Sequence, residues 1–209
     1  MPVTFENVQL PGHEGRKGRY MHLYSGNTYF PFDPRPEEIS IIDIAHHLSM
    51  QCRFAGASLR FLSVAEHSVL TSYIDEQENG KPFVTMYPTH AMEKLMHDAA
   101  EAYIQDWIRP VKYDASIKPI YKALEELNEA AIAKKFRMSY PFSPAVKYAD
   151  EVVCNLEMRD NIRNLNKGHL HAKIDPPSQL ALKFWSPEQA KSAFLSRFIQ
   201  LGGVMDIDP

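Results

Sequence analysis

Apolar residues recur along the chain at two spacings, and the change between them divides it. Between residues 20 and 32, aromatic and polar positions alternate around Ser25-Gly26-Asn27, a pattern of two strands joined by a tight turn. A hairpin pairing 20–24 with 28–32 is expected. Asp33-Pro34-Arg35-Pro36 stops it, and from Ile41 the period lengthens to that of a helix. Ile41, Ile44, Ala45 and Leu48 place a first helix at 41–51. Ser63 with Glu66 three residues on forms a capping-box pattern for a second, reaching about 74 with Val64, His67, Val69, Leu70 and Tyr73 inward. A polar connection at 75–88 leads to a third helix, capped by Thr89 and stopped at Arg109-Pro110. Ile117, Ile120, Tyr121, Leu124, Leu127, Ala131 and Ile132 form one stripe of a fourth helix at 116–137. Helices at 144–165 and 186–201 follow, the last opened by Ser186-Pro187-Glu188. About six helices and one small N-terminal β-hairpin make the chain all-α, a single helical bundle.

The ends read differently from the middle. Residues 1–19 are polar, and the glycines of GHEGRKG at 12–18 are three apart, with no strand before and no apolar helix after. That run predicts a flexible or loosely docked arm rather than a phosphate loop. The core is expected at 20–165. Residues 166–209, irregular around Pro176-Pro177 and then helical, are expected to pack on it.

Chemistry concentrates in the third helix, in MHDAAEAYIQDWIRPVKY at 96–113. On a continuous helix Glu101 lies about 40° around from His97, and Asp106 about 80° from Asp98. Ala99, Ala100 and Ala102 leave room beside them. Three carboxylates this close repel one another unless a cation or substrate intervenes. A solvated acidic face is the plain alternative, but Leu95, Met96, Tyr103 and Ile104 mark a largely buried helix. Two other helices offer partners. His67 stands between Val64 and Leu70, and Asp150 between Val146 and Val153, where a buried carboxylate is costly without a cation or several donors. Two imidazoles and two carboxylates suit Mn, Co, Zn or Fe and leave positions open to water or phosphate.

Composition narrows the setting. At 209 residues, 44% hydrophobic and 23% charged, the chain fits one soluble domain with a substantial core. A net charge of −3 gives no general attraction to a nucleic-acid polymer or an anionic membrane. Two cysteines, Cys52 and Cys154, suit a reducing cytoplasm and exclude a disulfide scaffold or a CxxC zinc site. The N-terminal residues lack a signal-peptide pattern, and no apolar run approaches the ~18 residues of a membrane span. A cytoplasmic location is expected. Of the remaining histidines, His90 reads as a capping or surface residue, His46-His47 as structural, and His169 and His171 as loop residues without metal spacing.

SVAEHSV, HDAAEAYIQDWIRPVK and KYADEVV resemble the corresponding segments of the HD-domain phosphohydrolases. The signature of that family is one His, an adjacent His-Asp pair and a distant Asp, each on a different helix. The chain is similar in particular to the bacterial 5′-deoxynucleotidase branch and its phage-encoded relatives, from about Tyr24 to about Asp160. The resemblance implies that His67, His97, Asp98 and Asp150 bind a divalent metal ion, with Mn, Co or Zn foremost. It also implies that Glu101 is the catalytic carboxylate, that Asp106 faces the sugar, and that the chain forms a homo-oligomer, dimer or higher. An Arg–aromatic pair upstream of the first His contacts phosphate and base in that family. Arg53-Phe54 matches it once one loop residue is removed, and Arg60 is a second candidate. Lys112, after the helix break, lies within reach of a phosphate.

The function expected is hydrolysis of deoxynucleoside 5′-monophosphates to deoxynucleoside and phosphate through a metal-activated water. The same site acting on deoxynucleoside triphosphates, in the manner of a dATPase that releases triphosphate, is the nearest alternative. A non-catalytic nucleotide or metal binder is the alternative of another class, and an all-α interaction protein the plainest.

Overall fold

Serine side chains cap four of the described helices. In the computed structural model, which describes residues 14–163 and 174–205, β1 (Met21–His22) pairs antiparallel with β2 (Thr28–Tyr29) across a turn at Gly26, whose φ is +87°. α1 (Ile41–Met50) begins where the Ser40 hydroxyl accepts from the Ile42 N–H, and α2 (Val64–Thr71) where Ser63 accepts from Glu66. Then come β3 (Ile74–Glu76), β4 (Pro82–Val84), α3 (Ala91–Met96), α4 (Glu101–Ile104) and α5 (Arg109–Lys112). α6 (Lys118–Lys135), α7 (Pro144–Asn161) and α8 (Pro187–Gln200) close the described chain. Ser143 caps α7, and Ser186 with Gln189 forms a reciprocal capping box on α8.

α8 lies against α1 and α2 over a core that includes Ile44, Leu48, Leu95, Phe194 and Phe198. A second cluster joins Leu70 and Ile74 to Val152, Val153 and Leu156 of α7. Among the described residues no helix is long and apolar enough to cross a membrane.

Several expectations are corrected. The connection at 75–88 contains a second hairpin, β3 with β4, turned at Asn79-Gly80 with Gly80 at φ +77°. Thr89 does not cap the third helix. Its N–H and hydroxyl both donate to Asp75, and His90, at φ +53°, precedes α3. The third helix is not continuous. After α3 the backbone tightens to i→i+3 bonds, Ala99 to Met96 and Glu101 to Asp98, and Gln105 at φ +72° ends α4. On α6, Ile120 and Leu127 are 68% and 44% exposed, because Asn128 takes the inward position and bonds the Tyr29 hydroxyl and the Pro31 carbonyl. At the inner end of the arm, Arg16 pairs with Asp33 and Glu38. Residues 1–13, and the loop holding His169 and His171, lie outside the described residues.

Glu66 departs from the expected capping box in an informative way. Its carboxylate, fully buried, accepts the backbone N–H groups of Lys183, Phe184 and Trp185 at 2.6–3.0 Å. It therefore anchors the segment leading into α8, whose Arg197 is itself buried against Ser72 and stacked on Tyr73. Glu66→Ala strands three donors and is expected to lower unfolding stability by about 2–4 kcal/mol in urea titration. A change below about 0.5 kcal/mol would refute the anchoring role.

Candidate metal centre

α2, the end of α3 and α7 bring four predicted ligands together. The Nε2 atoms of His67 and His97 face each other at 3.3 Å. Asp98 Oδ1 lies 3.2 Å from His97 Nε2, and Asp98 Oδ2 3.6 Å from His67 Nε2. Asp150 Oδ1 lies 3.1 Å from His67 Nε2 and 3.9 Å from His97 Nε2. Ligand atoms of His67, His97 and Asp98 all fall within 4.8 Å of one another, so these three form a candidate metal-binding cluster with Asp150 at its edge.

The far nitrogen of each ring is already committed. His67 Nδ1–H donates to Glu157 at 2.7 Å, and His97 Nδ1–H to the Lys94 carbonyl at 2.9 Å. Each imidazole is thereby turned so that Nε2 points to the shared centre, as ligand histidines are. Two nitrogens opposed at 3.3 Å, flanked by two carboxylates, make a donor set that suits a divalent ion.

A buried ionic chain supports this arrangement. Glu157 is fully buried and receives Arg53 Nε and Nη2 at 3.2 and 3.1 Å. Arg53 Nη1 then lies 3.6 Å from Asp98 and 3.9 Å from Asp106. Burial and the Arg53 charge work against a proton on His67, but Glu157 and Asp150 outweigh them and push it up to about 9. Burial likewise opposes charge on Asp98 and Asp150. The two histidines and Arg53 nevertheless hold both carboxyls below the usual range.

Glu101 and Asp106 titrate the other way. Burial, with Asp98 and Asp106 close by, raises Glu101 well above its ordinary value, and burial raises Asp106. Glu101 Oε2 is buried without a hydrogen-bond partner among the described residues, while Oε1 lies 3.8 Å from Lys112 Nζ. Lys112 is principally paired with Glu125 at 2.6 Å. Asp106 reaches the site from the extended stretch after α4, not from a helix face. Gln51 holds it there, donating to the Glu101 carbonyl and accepting the Asp106 N–H.

The other candidates are placed differently. Phe54, at φ +56°, lies beside Arg53 with the guanidinium 5.6 Å from its ring. Arg60 stacks on Phe184 at 3.8 Å, and its backbone is held by Asn161. His90 pairs with Glu93. Two members of the site went unread in the sequence. Glu157 stands two turns after Asp150 and so on nearly the same helix face, a signal that was available. Gln51, bonding across 55 residues to Asp106, left none.

No protein-family model matches the chain. It is similar to an uncharacterized protein of Escherichia coli, YfdR, at 39% identity over 141 residues, 68% of this chain and 71% of that protein. It is also similar to an uncharacterized protein of Rhodobacter capsulatus, RCAP_rcc00048, at 30% identity over 191 residues, 87% of this chain and 94% of the other.

Metal binding must displace the proton that His67 holds up to about 9. Below that value apparent Mn affinity is expected to rise roughly tenfold per pH unit, as for one displaced proton, when followed by calorimetry between pH 6.5 and 8.5. A flat profile would contradict the assignment of His67.

Proposed function

The chain belongs to the family of Escherichia coli YfdR and Rhodobacter capsulatus RCAP_rcc00048, and we propose that it is an HD-domain, metal-dependent phosphohydrolase of deoxynucleotides. Its expected reaction converts deoxynucleoside 5′-monophosphates to deoxynucleosides and phosphate. One observation carries the reading. A buried carboxylate oxygen without a hydrogen-bond partner among the described residues, Glu101 Oε2, stands on the segment that supplies His97 and Asp98 to the cluster with His67, which Asp150 flanks.

His67, His97, Asp98 and Asp150 would hold the ion. A divalent cation there supplies charge neutralisation on phosphoryl oxygens and a water of lowered pKa. The chain's own residues supply the rest. Burial beside Asp98 and Asp106 raises Glu101 well above its ordinary value, which favours the form that would donate a proton to the departing 5′-oxygen as the P–O bond breaks. The phosphate product, carrying both protons of the attacking water, returns one to Glu101. Arg53 cannot grip a phosphate with its whole fork, because Glu157 occupies Nε and Nη2 and leaves Nη1 directed toward Asp98 and Asp106. It therefore adds positive charge at the site and one donor for a phosphoryl oxygen. Asp106, beside that donor, accepts a sugar hydroxyl, and the Phe54 ring offers a face to the base.

Product identification with Mn or Co separates the two substrate classes. Phosphate released from dAMP supports the monophosphate reading, and tripolyphosphate from dATP the triphosphate one. Binding of either nucleotide without turnover, under any of these metals, would leave a non-catalytic binder and refute the proposal. Glu101→Gln is expected to keep the metal and lose about 10²–10⁴-fold in kcat. His97→Ala should lose metal and activity together. Full activity in Glu101→Gln would sink the acid role.

A further inference from the structure

The ends of α6 and α8 stop side by side, and both stop in the same way. In α8, Gly203 N–H bonds the Phe198 carbonyl and Gly202 N–H that of Ile199, with Gly202 at φ +88°. In α6, Met138 N–H bonds the Ala133 carbonyl and Arg137 N–H that of Lys134, with Arg137 at φ +55°. These are paired Schellman terminations, whose left-handed residue is by preference glycine. α8 obeys the preference and α6 does not. The α6 helix dipole does not call for this arginine, because Lys134 and Lys135 already occupy its last turn.

A cavity of about 860 Å³ separates the two ends, within the range of small-molecule sites. Its apolar lining includes Met92, Phe136, Met138, Phe198 and Met205, polarizable thioethers and rings that adapt to an aromatic or acyl body. His90, in the left-handed region like Arg137, also lines this cavity. Two strained non-glycine residues at one cavity mark a place where side-chain identity outweighs backbone comfort. The Arg137 side chain is exposed, and no ion pair engages it among the described residues. His90 and Glu93 are paired with each other, and Glu93 also accepts the Ser143 N–H that opens α7. Arg137, beside Lys135 on the same lining, therefore presents an exposed guanidinium to a ligand. α3 runs from this cavity to His97, joining it to the metal cluster through one short helix.

We propose that this cavity is a second binding site, separate from the metal cluster, for a small amphipathic anion. The ligand has an apolar body that lies on the methionines and phenylalanines and a carboxylate or phosphate head on Arg137. The test titrates the full chain with the fluorescent anion 8-anilinonaphthalene-1-sulfonate. Saturable binding at a single site is expected, weakened at least about tenfold in Arg137→Gly, the loss of one charge-assisted contact. The same variant relieves the left-handed strain, so its Tm should be equal or higher, by about 2 °C, which separates lost binding from lost folding. Met92→Trp, which fills the cavity, should weaken binding as well. Displacement by decanoate identifies an acyl carboxylate as the ligand class, and displacement by dAMP an aromatic phosphate. Absence of saturable binding, an unchanged affinity in either variant, or displacement by neither competitor would overturn the proposal.

Discussion

Glu157 accepts a hydrogen bond from His67 at 2.7 Å and two more from Arg53, all inside the protein. A carboxylate buried without partners would be too costly to retain. Here one imidazole and one guanidinium compensate it. In doing so it fixes the His67 ring, aims Nε2 at the centre of the cluster and brings Arg53 Nη1 to the edge of Asp98. Remove this carboxylate and two buried cations lose their common partner, while the carboxylates of Asp98 and Asp150 remain crowded. The geometry of the candidate metal centre rests on that three-residue chain.

The surrounding elements are arranged to carry it. α2 brings His67, the end of α3 brings His97 and Asp98, α7 brings both Asp150 and Glu157, and the turn before α2 brings Arg53. Polar side chains hold these pieces in register. Gln51 ties the Glu101 carbonyl to the Asp106 N–H across the break after α4. Lys94, fully buried, donates to the Ile74 carbonyl and leaves its own carbonyl for His97. Glu66 pins the strand-like entry to α8. Each is a polar group whose side chain satisfies backbone groups that regular helix would otherwise have satisfied.

Much of this was legible in the sequence because it depended on local signals. Serines at 63 and 186 start helices, and four of the site residues are acidic or histidine positions on apolar faces. The interrupted third helix was not legible. Nothing in EAYIQD marks a stop, since Gln105 takes its positive φ in a segment held from outside by Gln51. Asp106 therefore joins the site for a different reason than helical spacing suggested. The commitment of Arg53 to Glu157 spans 104 residues, and no local pattern encodes it. Ile120 and Leu127 looked buried because the stripe was complete, yet Asn128 made the stronger inward claim by satisfying two partners.

The claim on which everything else turns is that His67, His97, Asp98 and Asp150 form one metal centre. Metal content after Mn loading and removal of free ion tests it most directly, with wild type and Asp150→Ala compared at equal helicity by circular dichroism. A single retained equivalent in wild type, lost in the variant, is the expected result. No retained Mn in wild type, or as much in Asp150→Ala, would contradict it.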